Sequence, residues 1–436
     1  MRTAHSTLMP VAKKAKESAA DVVVIGGGPA GMMAAGRAAE CGAEVILLEK
    51  NPSLGKKLLI TGGGRSNVTN AEKDIRVLLA KYGKSAKFLH SAFARFSNAD
   101  ALAFFHAHGM PTIVEAEGRA FPKTERSASV LECLERYLAE VRVRVRPSAT
   151  VLGFTTEDGR VTGVRLSGGE RILARTIILA TGGTSRPDTG STGDGFRWLS
   201  ELGIPVRLPD PALVPIKTSD AWMHKLSGLA FQRAKVTVTS GGTMHDARVG
   251  KVLFTHFGLS GPLILNMSRG IGELLRYGAV TLAIDLFPDE DQGTFDRRFH
   301  DTLRLLQNKK LRNALEAVVP SALAHAIPPV LGLDQDKQVN KVSREERLQI
   351  VKFLKGVPAH PTKVLGVEKA VVVSGGIALA EIDTRTFATH DYPNLFVTGD
   401  VLDIDRPSGG YSLQLCWTSG YVAGTSAAEY TKHRAD

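Results

Sequence analysis

The sequence predicts an α/β fold in which a parallel sheet, opened by a glycine-rich turn, is interrupted by an inserted region of mixed β and helical character. Three observations carry that prediction. The β-branched run Asp21-Val22-Val23-Val24-Ile25 breaks into Gly26-Gly27-Gly28-Pro29-Ala30-Gly31 and then into the small-residue helix pattern Met32 to Glu40. Apolar runs that end on glycine recur at Thr176 to Gly183 and at Leu395 to Asp400. These motifs stop near residue 200 and resume near residue 371, and the stretch between them is long enough to build a domain of its own.

Composition sets the outer bounds. The chain has 436 residues, 43% hydrophobic and 23% charged, with 44 Gly and 20 Pro, which excludes low-complexity, collagenous and coiled-coil classes. Cys41, Cys133 and Cys416 are far apart and have no C-x-x-C pairing. That excludes a disulfide framework or a cysteine zinc site and points to a reducing, cytoplasmic setting. The His residues show no metal-ligand spacing, so no metal is expected. No apolar run approaches the ~18 residues that span a bilayer, and stable membrane association is not expected. Residues 1–20, with Lys13, Lys14 and Lys16, read as a mobile leader. A net charge of +11 favours anionic partners such as nucleotides or RNA without choosing among them.

From Asp21 to Glu49 the chain reads strand, turn, helix, strand. Gly26 permits a tight turn, Gly28 lets the backbone approach a pyrophosphate, and Gly31 lets helix and strand pack closely. Pro29 and Ala30 open the helix, whose N-terminus supplies amide donors and the positive end of a dipole. The second apolar run, Glu44-Val45-Ile46-Leu47-Leu48, ends on Glu49, placed to hold a ribose, with Lys50 beside it. This describes a dinucleotide site, for NAD or FAD.

The later segments favour FAD. Thr176 to Ala180 is a buried-type strand opening into Thr181-Gly182-Gly183 and followed by Thr192-Gly193-Asp194-Gly195. Leu395-Phe396-Val397-Thr398-Gly399-Asp400 presents a carboxylate at the carboxyl end of a strand, where ligands of open α/β sheets sit. Asp400 is suited to accept from a ribityl hydroxyl. Gly409 and Gly410 permit backbone approach to a ring system before a helix that starts near Tyr411 and Ser412. The N-terminus of that helix can face the flavin N1–C2 edge, where negative charge gathers on reduction. NAD alone needs none of this.

With these segments in place, the chain resembles the BaiN-like (YhiN-like) family of three-domain, FAD-dependent, NAD(P)H-using oxidoreductases, within the glutathione-reductase-type flavoprotein superfamily. The resemblance covers nearly all of residues 21–430. It is most specific over Gly55-Lys56-Lys57-Leu58-Leu59-Ile60-Thr61-Gly62-Gly63-Gly64-Arg65-Ser66-Asn67-Val68-Thr69-Asn70, over Phe254 to Pro262 and over Gly399 to Gly420. It implies a Rossmann-type FAD-binding domain with an inserted mixed β-barrel-like and helical region, and it places Lys57, Thr61, Gly63, Gly64, Arg65 and Asn67 at the cofactor. Members often carry Cys where this chain has Ser66, so a thiol acid does not carry over. Without the resemblance, residues 55–70 remain a flexible basic loop whose amides can approach a phosphate or the flavin face.

The expected organisation is a discontinuous FAD-binding domain of residues 21–200 and 365–436, with residues 201–364 inserted as a substrate domain. That insert reads mainly β over 201–290, as in Lys235-Val236-Thr237-Val238-Thr239. It reads mainly helical over 291–364, where Phe295, Phe299, Leu303 and Leu306 recur at helical spacing. The expected reaction is reduction of bound FAD by NAD(P)H, then hydride transfer to an electron-poor C=C or C=O group of a small unsaturated substrate. A proton must accompany it, and His256, Ser66 and Tyr411 are the candidate acids. With a single G-x-G-x-x-G unit visible, NAD(P)H is expected to dock transiently. An amine-type oxidase producing peroxide shares every cofactor motif. The resemblance adds a third reading, a ribosomal RNA uridine reductase (dihydrouridine synthase activity), for which residues 301–364, with 11 Lys and Arg against 6 Asp and Glu, offer a basic surface.

Overall fold

The computed structural model describes residues 17–366 and 372–432. By its contacts the chain divides into two units: residues up to 183, 188–208 and from 375 onward form the first, and 184–187 with 209–374 form the second. The expected junctions were 200/201 and 364/365, so the contact boundaries lie somewhat further along the chain at both ends of the insert.

The first unit is built on a seven-stranded sheet. Its centre is β1 (Glu17–Ile25), which leads through α1 (Pro29–Glu40) to β2 (Val45–Leu48). Val22, Val23, Val24 and all four residues of β2 are buried, as β-branched and apolar runs are when helices cover both faces of a parallel sheet. The strand Arg171–Leu179 pairs parallel with β1 on the side away from β2, and Leu395–Val397 pairs parallel with that strand. Ile25 lies opposite Leu48 and Leu179, and Leu179 lies opposite Val397. This register brings the turns beginning at Gly26, Glu49, Ala180 and Thr398 out at one edge of the sheet. That edge is where open α/β sheets hold ligands.

Beyond Arg171–Leu179 the sheet continues antiparallel through Arg160–Leu166 and Val151–Glu157, and Arg144–Arg146 pairs with β2 on the other side. The C-terminal helix Tyr411–Lys432 packs along α1 at very short range. A Cβ on Gly420 would lie 2.5 Å from the Ala30 carbonyl oxygen, and one on Gly424 would lie 2.4 Å from that of Ala34. Only glycine permits that spacing.

Residues 17–20, expected in the mobile leader, instead extend β1, with Glu17 opposite Arg171 and Ala20 opposite Ala174. The partner strand supplies the ladder hydrogen bonds, a tertiary effect that local composition does not announce. The rest of that expected leader, residues 1–16, lies outside the described residues. So does Val371; the resumed strand is described as Val372–Ile377.

The second unit carries a seven-stranded antiparallel sheet in the order Val357–Ala359, Val280–Asp285, Ala230–Ser240, Thr243–Thr255, Gly258–Ser260, Ile216–Thr218, Pro361–Val364. Helices Gln292–Leu305, Ser321–Leu331 and Arg344–Leu354 complete it. Val236, Phe254 and Ile284 from the sheet share one buried cluster with Phe295, Leu323 and Ile350 from the helices. A common core makes the β and helical parts a single unit, in place of the separate domains of a three-domain chain. The division near residue 290 is also crossed in both directions. Pro262–Leu275 is a helix inside the β part, and the last two strands of the sheet follow the helices in sequence.

Candidate active site

The turns at the sheet edge of the first unit line a groove. Gly26 sits at φ +108°, where a Cβ would come within 2.4 Å of the Ala180 carbonyl oxygen, so the tight turn demands glycine. Gly31 is closed off in the same way, its Cβ position falling almost on the Gly26 carbonyl oxygen. Gly28 differs, because a Cβ there would meet nothing within 4 Å. It is the N-cap residue of α1, with no side-chain cap and no acidic residue in the first helical turn. The first amides of α1 are therefore left to an anion, and the dipole favours one.

Glu49 closes the groove at the β2 turn. It is buried; Oε2 accepts from the Gly27 amide at 2.7 Å, while Oε1 accepts from the Asn51 amide at 2.7 Å and from Asn51 Nδ2 at 2.8 Å. The carboxylate thus holds the glycine turn in place and keeps one lone pair, on Oε2, for a sugar hydroxyl. Lys50 Nζ donates to Thr192 Oγ1 at 2.6 Å and to Asp194 Oδ2 at 2.9 Å. Burial pushes the Asp194 carboxyl up, but hydrogen bonds from Lys50 and Thr192 outweigh it and hold the group below its ordinary range.

At the far end of the groove stands Asp400. Its Oδ2 accepts from Lys57 Nζ at 3.1 Å, and its Oδ1 accepts from Arg406 Nη2. Burial alone would raise its carboxyl; the Arg406 and Lys57 charges more than offset this and bring it down to about 2. Gly399 donates its amide to Ser419 Oγ at 3.0 Å, which fixes the turn against the C-terminal helix. Gly183 packs beside the same turn, its Cβ position 3.3 Å from the Asp400 carbonyl oxygen.

The structure brings Gly26, Gly28, Pro29, Ala30, Glu49, Lys50, Lys57, Thr181, Gly182, Asp194, Gly399 and Asp400 together as groove lining. The other expected cofactor residues form supporting layers. Gly63 and Gly64 take positive φ with open space beside them, whereas Thr61 turns its hydroxyl back to the Leu58 carbonyl at 2.6 Å. Arg65 does not reach into the groove. It lies over the Phe121 ring, pairs with Glu115 at 2.5 Å and Glu125 at 2.6 Å, and is thereby committed to residues 115–125. In the orientation that satisfies its neighbours, the Asn67 amide accepts from the Gly410 amide at 3.0 Å and donates to Ala120 and Thr69 carbonyls.

Gly410 carries a steric demand within the fold itself. A Cβ on Gly410 would lie 2.3 Å from the Thr69 carbonyl carbon, so this glycine makes room for the Thr69–Asn70 backbone. Asn70 Nδ2 donates to the Gly409 carbonyl at 3.2 Å and adds a second tie between the segments. Ser412 accepts from Arg406 Nε at 3.2 Å.

The three candidate acids fall in three settings. Ser66 is fully buried at φ +58°, its hydroxyl oxygen 3.2 Å from Thr61 Oγ1. Tyr411 is buried, its carbonyl accepts from Tyr82 OH at 2.8 Å, and burial raises its phenol. His256 is exposed in the two-residue turn between Thr243–Thr255 and Gly258–Ser260, within the second unit.

Sequence reasoning missed Asn51, Ala149, Val151 and Trp198, which also line the groove, and Arg406, which holds its floor. Asn51 had a signal, following the terminal acid of β2. Arg406 had only its place within Gly399 to Gly420, because a cation in an irregular loop otherwise looks like any solvated charge.

The groove fits FAD. It has open space beside Gly28, uncapped helix amides at the same point, a fixed carboxylate at one end and a second, cation-held carboxylate at the other. The HI0933-like protein Rossmann domain matches residues 20–426. The chain belongs to that family. This HI0933-like chain is 29% identical over 420 residues to a 3-dehydro-bile acid delta(4,6)-reductase of Clostridium scindens, covering 93% of this chain and 98% of the relative. It is 27% identical over 406 residues to a ribosomal RNA dihydrouridine synthase of Escherichia coli, covering 92% and 96% of the two chains. Among solved structures, Escherichia coli quinol fumarate reductase superposes with a TM-score of 0.55 at 17% identity, over 97% of this chain and 72% of the other, a likeness of fold. The HI0933-like chain is an FAD-dependent oxidoreductase.

Proposed function

We propose that this oxidoreductase saturates a carbon–carbon double bond conjugated to a carbonyl, with NAD(P)H as electron donor. The observation that carries this reading is the single groove running from Glu49, past the open N-terminus of α1, to the cation-held Asp400. Bound FAD supplies two-electron hydride chemistry there. The chain's own part is to neutralise the diphosphate with helix amides and groove lysines, to hold the sugar hydroxyls on two carboxylates, and to keep Asp400 ionised. The names of the relatives support the substrate class, because a delta(4,6)-reductase and a dihydrouridine synthase both remove a C=C bond, and in uridine that bond is conjugated to a carbonyl.

A small enone and the uracil ring of ribosomal RNA therefore present the same acceptor chemistry, and the small molecule is our first reading. The RNA reading stands second on the name of the Escherichia coli relative. His256, Ser66 and Tyr411 remain the proposed acids, and we assign a cytoplasmic setting on the strength of three unpaired thiols. Among the described residues no helix is long and apolar enough to cross a membrane.

The test is anaerobic reduction of the holoenzyme by NADH or NADPH, followed by reoxidation with a conjugated 3-oxo-4-ene steroid, a simple enoate, immature ribosomal RNA or oxygen. Saturation of the C=C bond in stoichiometric yield supports the reading. Reoxidation by oxygen alone, with one peroxide per flavin, would replace it with the oxidase reading.

A further inference from the structure

Arg406 belongs to none of the glycine segments, yet its guanidinium joins three parts of the site. Its side chain is 1% exposed. Nη2 donates to Asp400 Oδ1, Nε donates to Ser412 Oγ at 3.2 Å, and Nη1 donates to the Ile404 carbonyl at 2.6 Å. The first contact holds the carboxylate at the groove end, the second reaches the first turn of the C-terminal helix, and the third folds the intervening loop. A buried guanidinium is costly unless its donors are used, and these contacts engage each of its three nitrogens.

The charge count around Asp400 is uneven. Arg406 and Lys57 each take one carboxylate oxygen, so two cations face one anion. The other titratable group facing Asp400 is the Cys416 thiol, which burial and the Asp400 charge push up to about 12, so it stays neutral. Tyr82, whose phenol burial raises, faces Arg406. The cluster therefore carries net positive charge next to the N-terminus of a 22-residue helix. Each carboxylate oxygen still has a lone pair for a sugar hydroxyl.

We propose that Arg406 is a positioning residue of the flavin site: it locks Asp400 to Lys57 and to the first turn of the C-terminal helix, and its surplus positive charge favours the reduced cofactor. The proposal rests on the FAD reading of the groove. A packing role alone would need the shape of Arg406; the proposed role needs its charge.

The test compares Arg406→Gln and Arg406→Lys in the holoenzyme by dye-coupled determination of the flavin midpoint potential. For Arg406→Gln the reduction equilibrium should shift about tenfold toward the oxidised form, which is about 30 mV for a two-electron couple. Arg406→Lys should return the potential to the wild-type value. An unchanged potential in Arg406→Gln, or an equal shift in both variants, overturns the proposal. If Arg406→Gln does not fold, Lys57→Gln removes the other cation and must shift the potential the same way. A cofactor-free readout separates this test from the FAD reading itself. Apoprotein Arg406→Gln should melt below wild type at pH 7, and the deficit should narrow as the pH falls from 4 toward 2, where the Arg406–Asp400 pair stops contributing. A deficit independent of pH would mark Arg406 as packing only, whether or not FAD binds.

Discussion

At Gly28 a side chain would enter open space, whereas at Gly410 it would enter the backbone of Thr69. The two positions therefore predict opposite failures. Gly28→Val should leave the melting temperature of the apoprotein nearly unchanged and weaken FAD on the order of a hundredfold, or about 2.7 kcal/mol, in a flavin-fluorescence titration. Gly410→Leu must move the Thr69–Asn70 strand and adopt φ +101° with a Cβ, so it should cost on the order of 3 kcal/mol of stability in denaturant unfolding. The Asp400 carboxyl gives a pH signature. Its value is lowered from 3.8 to about 2, so its contribution is complete above pH 4 and is lost as the pH falls through 4 toward 2. FAD release, followed by the rise in free-flavin fluorescence, should show a step in that window, and Asp400→Asn should abolish the step.

At the scale of elements, the site depends on how two helices meet. Gly420 and Gly424 let the C-terminal helix lie against α1 with backbone in contact, and this contact sets the height of the α1 N-terminus above the groove. Gly424→Val should separate the helices at a cost of about 1–3 kcal/mol, lowering the thermal midpoint and raising the FAD dissociation constant together. A loss of stability with FAD affinity unchanged would show that the helix contact does not position the groove. The strand–turn–helix–strand unit was legible in the sequence because its β-branched runs, glycines and terminal acid lie within one short stretch. Parallel pairing then made the other strand ends legible by type, since an apolar run ending on glycine reads the same wherever it falls. What was illegible depends on partners distant in sequence. Glu17–Ala20 became strand only through Arg171–Ala174, Arg65 was drawn off by Glu115 and Glu125, and Gly410 is required by Thr69. No local pattern carries those pairings.

Taken whole, the chain holds two cores, one for each unit. Residues 209–374 expressed alone should unfold in one cooperative thermal transition and bind no flavin; a broad, non-cooperative melt would count against an independent core. The basic surface of this unit is less available than its composition suggests. Lys310 and Arg312 share Asp336 at 3.0 and 3.1 Å, Arg347 pairs with Asp296 at 3.0 Å, and Lys355 pairs with Asp285 at 2.6 Å. If RNA is bound there, two or three phosphate contacts are the scale to expect, which predicts a loss of roughly 10- to 40-fold between about 50 and 200 mM salt. A loss beyond a thousandfold would mean that these internal pairs open toward the nucleic acid.

The flavin unit is assembled from stretches on either side of the insert, and this fixes an order of events during synthesis. Gly399, Asp400, Arg406 and the helix that seats α1 all lie within the stretch from residue 375 onward, which leaves the ribosome after the insert. The insert is contiguous and emerges earlier, so it can fold while β1, α1 and β2 still wait for their partners. A nascent chain stalled before residue 375 should therefore present a protease-resistant insert beside a protease-sensitive N-terminal half. Cofactor capture then waits for the stretch that follows the insert, and translation beyond the insert becomes the step at which unshielded apolar strands are most in need of a chaperone.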